Sequence, residues 1–217
     1  MMKKLGAIAL TATMMLSLIG CSKKNFDGNY TAELDLTDSV VESIEAGFGE
    51  TDYEWTGTYI ESYKLELSEG KYNYSTDIEA SKESYLAFLR ENVEAYLYSV
   101  AEAELAADPD FAGMTVDEVL EASGYSIWEC YTDYKTEDEY IDEVANTFDS
   151  YTEEESGDYE IDGDTITLLG VDAVDTEGEE IAGWPLTYED GNLKGIQYMD
   201  EDNLEEETEI TFVRDAE

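Results

Sequence analysis

The chain has 217 residues, with 55 Asp and Glu against 11 Lys and Arg, no histidine and a formal charge of −44. A surface this acidic excludes nucleic acid as a partner, because phosphate binding needs clustered Lys and Arg. The missing histidine excludes Ser-His and Cys-His nucleophile activation, histidine general bases and histidine zinc sites.

The first elements read as an address. Lys3 and Lys4 precede an apolar run from Leu5 to Ile19, followed by Leu18-Ile19-Gly20-Cys21. The run is shorter than the ~20 residues needed to span a bilayer and suits a signal h-region. Its end resembles a lipobox: an aliphatic Leu18, a small Gly20, then Cys21. That pattern implies cleavage before Cys21, lipidation of its sulfur, and a protein anchored on the extracytoplasmic face of the cell membrane. Two or more acyl chains give stable anchoring, at about 0.8 kcal/mol per buried methylene. Loss of Lys3 and Lys4 with the signal takes the formal charge from −44 to −46. Lys23-Lys24 is then the basic pair beside the lipid, where each lysine gains ~1 kcal/mol from anionic headgroups.

The apolar spacing predicts eight strands and a block of helices. Gly28 to Thr37 alternates Tyr30, Ala32, Leu34 and Leu36 with polar residues, the period of a half-buried strand. Ser39 to Glu42 has the spacing of a capping box, predicting a short helix to about Ala46. Tyr59–Ser68 and Lys71–Ile78 flank Glu69-Gly70 and predict a hairpin. The period then changes: Leu86, Leu89, Val93, Leu97 and Val100 predict a helix from about Ser81 to Ala107, closed by Asp108-Pro109. Capping boxes at Thr115–Glu118, Ser126–Glu129 and Thr136–Glu139 open further helices, although 126–134 also reads as a strand. Hairpins follow at Asp162-Gly163 and Asp190-Gly191, and Thr208–Val213 is the last strand.

This pattern predicts an α+β fold: an eight-stranded antiparallel barrel or strongly curved sheet, with a helical insertion between the third and fourth strands. An open sheet or a two-sheet sandwich is the alternative. The expected layout is a signal peptide over 1–20, a lipidated tether over 21–27 and one domain over 28–215, its helical insertion at about 81–152.

The layout resembles lipocalin-like lipoproteins of Gram-positive bacteria. The resemblance rests on the signal, Gly28-Asn29-Tyr30, Leu67-Ser68-Glu69-Gly70-Lys71-Tyr72 and the run from Gly157 to Ile166. It covers the strand segments; the helical insertion departs from a plain lipocalin, and the usual Gly-x-Trp opening is missing. It implies a barrel with a ligand pocket.

The candidate ligand-lining residues are Tyr59, Tyr63, Tyr72, Tyr74, Trp184, Tyr188 and Tyr198, aromatics that with nearby carboxylates suit sugars or cationic amphiphiles. The alternative is that they fill a core. Asp158-x-Glu160-x-Asp162-Gly163-Asp164 begins like a calcium loop, but Leu169 stands where a bidentate glutamate is needed, so a hairpin is expected. Asp200, Asp202 and Glu205 form a loop that takes up calcium weakly at most; no other cofactor is expected. Ser68-x-x-Lys71 lies on a hairpin turn, where a Ser-Lys enzyme needs a helix start. Cys130 has no basic neighbour and is expected to be a small buried residue.

These readings lead to a monomeric, non-catalytic binding protein for a small molecule or a protein partner. The alternatives are a structural or shielding envelope component without a ligand and, third, a carboxylate-based hydrolase. Mutual repulsion among the carboxylates predicts a melting temperature that rises between low and moderate salt. Thermal unfolding at two ionic strengths checks this; an unchanged midpoint would contradict it.

Overall fold

The structure is a computed structural model that describes residues 25–149, 154–174, 180–198 and 207–216. The signal, Cys21 and the candidate calcium loop of Asp200, Asp202 and Glu205 lie outside the described residues.

The strands are β1 (Gly28–Asp35), β2 (Ile60–Ser68), β3 (Lys71–Thr76), β4 (Glu154–Asp162), β5 (Thr165–Val174), β6 (Glu180–Glu189), β7 (Asn192–Tyr198) and β8 (Glu207–Arg214). Each pairs antiparallel with the next, and β8 returns to β1 through Tyr30 opposite Arg214 and Thr31 opposite Val213. The result is a closed barrel, the arrangement that removes sheet edges. Inward positions alternate as the sequence predicts: Tyr30, Ala32 and Leu34 on β1, Tyr63, Leu65 and Leu67 on β2, and Tyr72, Tyr74 and Thr76 on β3 are buried.

The barrel has two unlike ends. One carries the start of β1, the tight β2–β3, β4–β5 and β6–β7 turns, and the end of β8. Glu69-Gly70 and Asp190-Gly191 each place two residues at positive φ, as type I′ hairpins require. The third turn is Gly163-Asp164 rather than Asp162-Gly163, because Asp162 already pairs with Thr165. Gly163 then takes the first turn position at φ +63°, where type II′ turns want glycine.

The opposite end carries the helices: α1 (Thr37–Phe48) between β1 and β2, and α2 (Ile78–Ala107), α3 (Val116–Ser123), α4 (Ile127–Tyr131) and α5 (Glu137–Phe148) between β3 and β4. α2 packs along β2 and is the spine for α3, α4 and α5. Its buried face of Phe88, Leu89, Val93, Tyr96, Leu97 and Val100 anchors a second core, separate from the barrel core. Leu36 touches both.

Helix starts correct two expectations. The Ser39–Glu42 box does not open α1; Asp35 Oδ1 instead accepts from the Thr37 N–H at 3.0 Å, and the helix begins at Thr37. Ile78 is the first residue of α2, not the end of β3. Asp77 stops the strand by accepting from the Ala80 N–H and pairing with Lys64 at 2.6 Å. The other three boxes form in full, and the middle one makes Ile127–Tyr131 a helix.

The hydrogen bonds given by Ser126 and Thr136 hold the Glu129 and Glu139 carboxyls below the usual glutamate range. A lowered folded value means that their support is present above the unfolded pKa and is lost as pH falls through the folded one. Carboxyl NMR titration is therefore expected to give midpoints for both below the ordinary ~4.3. Ordinary values would deny the boxes.

Cys130 is exposed rather than buried. At 100° per residue it sits roughly 110° from the mean direction of Ile127, Trp128 and Tyr131. Desolvation by the surrounding protein, then Glu129, push its thiol pKa up, away from reactivity.

Candidate functional site

The aromatics expected to line a pocket occupy three places. Tyr63, Tyr72, Tyr74 and Trp184 lie together inside the barrel. Tyr63 and Tyr74 stack with centroids 5.8 Å apart, and Trp184 meets Tyr74 and Phe212 edge-on at 5.6 and 5.8 Å. The Trp184 indole donates to the Ile196 carbonyl at 2.9 Å. Glycine at 195 makes room for it, since a Cβ there would come within 2.5 Å of Leu186 Cδ2 and 3.2 Å of Trp184 Nε1. The Tyr72 hydroxyl likewise crosses Gly157 to donate to the Leu169 carbonyl at 3.0 Å. Burial raises the Tyr72 phenol, which stays a neutral donor. These rings are at most 9% exposed, as packed core residues are.

The other three lie elsewhere. Tyr59 precedes β2 and belongs to the helical core, edge-on to Tyr85 at 5.0 Å. Tyr188 packs at 5.1 Å against Phe26 near the hairpin end. Tyr198 is on β7, with its side chain outside the described residues.

At the hairpin end, residues 25–27 fold over the barrel as a strap. Phe26 is 3% exposed and joins the barrel core. The Tyr30 hydroxyl donates to the Phe26 carbonyl at 2.8 Å, and the Tyr159 hydroxyl donates to Asp27 Oδ1 at 2.9 Å. Arg214 donates to the carbonyls of Asn25 and Asp27 and lies 5.8 Å over the Tyr30 ring. Burial lifts the phenol pKa of Tyr30 and Tyr159, so both remain donors. Beside the strap is a shallow, open depression of about 390 Å³, lined by Asn25, Phe26, Asp27, Glu69, Gly70, Tyr159 and Ile161.

At the helical end, the segment 49–59 is fastened to α2. Asn92, fully buried, accepts from the Thr56 N–H at 2.8 Å and donates to the Thr56 carbonyl at 2.8 Å. Half-buried Trp55 lies 4.8 Å from Tyr96 and donates to Glu45 Oε1 at 3.0 Å. Farther along, Tyr125 and Tyr134 are exposed, at 46% and 71%, with ring centroids 5.3 Å apart. Asp133 and Tyr134 both hold positive φ, an unfavourable geometry for residues with a Cβ. The exposed apolar residues Phe111 and Met114 belong to the same helical part of the chain. Sequence periodicity missed this pair because isolated tyrosines outside the repeat carry no pattern. Asn92 was equally hidden, one polar residue within a helical run.

Among the described residues, no group of three or more Cys, Asp or Glu is placed to hold a metal, and no helix is long and apolar enough to cross a membrane. Asp158, Glu160 and Asp162 lie on β4, and Asp158 pairs with Lys71, so the hairpin reading holds over the calcium loop. The same pair occupies the lysine of the Ser68-x-x-Lys71 motif.

Comparison of the chain with protein-family models, with curated proteins and with solved structures returned no match.

Proposed function

We propose that this protein is a membrane-anchored extracytoplasmic lipoprotein that works by non-catalytic binding, with the barrel as its base and the helical end as its contact surface. One observation carries the choice of surface. Tyr63, Tyr74, Trp184 and Phe212 pack on one another inside the barrel, whereas Tyr125 and Tyr134 are displayed on the helical part. An exposed aromatic pair among carboxylates suits a protein partner that presents Lys or Arg, through cation–π contact and charge complementarity. The packed interior also supports a second reading, a structural envelope component whose barrel serves stability alone.

Two measurements test this. Changing Cys21 to Ala is expected to release the protein or leave unprocessed precursor; a lipidated mature form that persists would refute the anchor. A photo-crosslinker at exposed Glu121 in the full-length protein is expected to trap a partner with a basic surface, and adding Y125S with Y134S to that protein to abolish the product. No difference between the parent and the double variant would favour the structural reading. A small molecule retained in native mass spectrometry would return binding to the barrel.

A further inference from the structure

We infer that the domain faces the lipid surface with its hairpin end and holds its helical end outward. This orientation rests on the anchor reading above and deepens it.

The strap sets the direction. From Asn25 onward the chain is clamped: Phe26 is buried, and Asn25, Phe26 and Asp27 are held by Arg214, Tyr30 and Tyr159. Only Ser22, Lys23 and Lys24 separate Asn25 from Cys21. Four Cα steps reach at most ~15 Å. A lipid on Cys21 therefore holds the strap within that distance of the headgroups. The β2–β3, β4–β5 and β6–β7 turns and the end of β8 share the strap's end of the barrel. The helices leave from the opposite end, ~20 Å away along tilted strands of this length.

The tether holds that end toward the membrane, and charge keeps it from adhering. Glu69, Asp162, Asp164 and Asp190 lie at the turns. Lys71 is paired with Asp158, Lys194 with Glu189, and Arg214 is engaged by the strap. The hairpin end is thus acidic and is repelled by anionic headgroups. Lys23 and Lys24 belong to the tether between Cys21 and the strap. The tether's reach is comparable to the ~10 Å screening length at 0.1 M salt, so the gap responds to ionic strength.

The test uses the acylated full-length protein carrying C130S, so that an introduced cysteine is the sole free thiol. D162C labels the hairpin end and E121C the helical end. The protein is placed on vesicles of phosphatidylcholine with a minor share of phosphatidylglycerol and a headgroup spin label. Quenching at the hairpin-end label is expected to exceed that at the helical-end label by roughly three-fold or more, given the ~20 Å separation. Added salt is expected to strengthen the hairpin-end signal. Equal quenching, or stronger quenching at the helical end, would overturn the orientation. Protein remaining in the supernatant would instead refute the anchor. A Gly-Ser spacer of about a dozen residues after Lys24 is expected to erase the contrast; a contrast that survives it would refute the short tether as its cause.

Discussion

W184A is expected to lower stability by about 4 kcal/mol, near the middle of the range for removing a large aromatic from a packed core. The indole loses its edge contacts with Tyr74 and Phe212, and the Ile196 carbonyl loses its donor. The backbone cannot close the gap readily, because Gly195, opposite the ring, has no side chain to move in. Urea unfolding at an unchanged slope measures the loss. The space left is lined by aromatics and leucine, so added indole is expected to restore part of the stability by binding the native state alone. A W184A protein as stable as its parent would mean that the barrel interior is not packed as described.

The second large effect is expected at Asn92. Its carboxamide accepts from the Thr56 N–H and hydroxyl and from the Tyr53 hydroxyl, and donates to the Thr56 and Phe88 carbonyls. It takes the place of a neighbouring strand for a segment that has none. N92A leaves buried groups unpaired, each costing about 1–3 kcal/mol, for an expected loss of about 3 kcal/mol. Hydrogen exchange at the Thr56 amide is expected to accelerate by more than exchange in the barrel strands. N92D keeps the acceptor but sets a carboxylate against two carbonyls. Its deficit is expected to shrink at acid pH, where the protonated acid donates. Uniform exchange across both cores would show that Asn92 does not hold the segment.

Much of the barrel was legible because its signals are local. Tyr30, Ala32 and Leu34 alternate with polar residues, and Glu69-Gly70 and Asp190-Gly191 specify their turns through backbone geometry alone. The boxes at Thr115, Ser126 and Thr136 were legible for the same reason: donor and acceptor lie three residues apart. Where local signals compete, tertiary contacts chose. Ser39 and Glu42 had the right spacing, but Asp35 reached the free N–H of Thr37 first. Ile78 continued the strand's alternation, but Asp77 paired with Lys64 and opened the helix. Cys130 was expected inside, and the phase of a five-residue helix turned it out.

Sequence by itself determined the number of strands, their order and the helical insertion between β3 and β4, because each follows from residue type and short-range period. Only tertiary structure decided closure, through β8 returning to β1. It alone separated Tyr59 from Tyr63, sending one ring to the helical core and the other to the barrel. It alone brought Arg214 to Asn25 and Asp27, and Tyr159 to Asp27. These contacts join residues distant along the chain, and no period in a linear sequence encodes which distant groups will share a space.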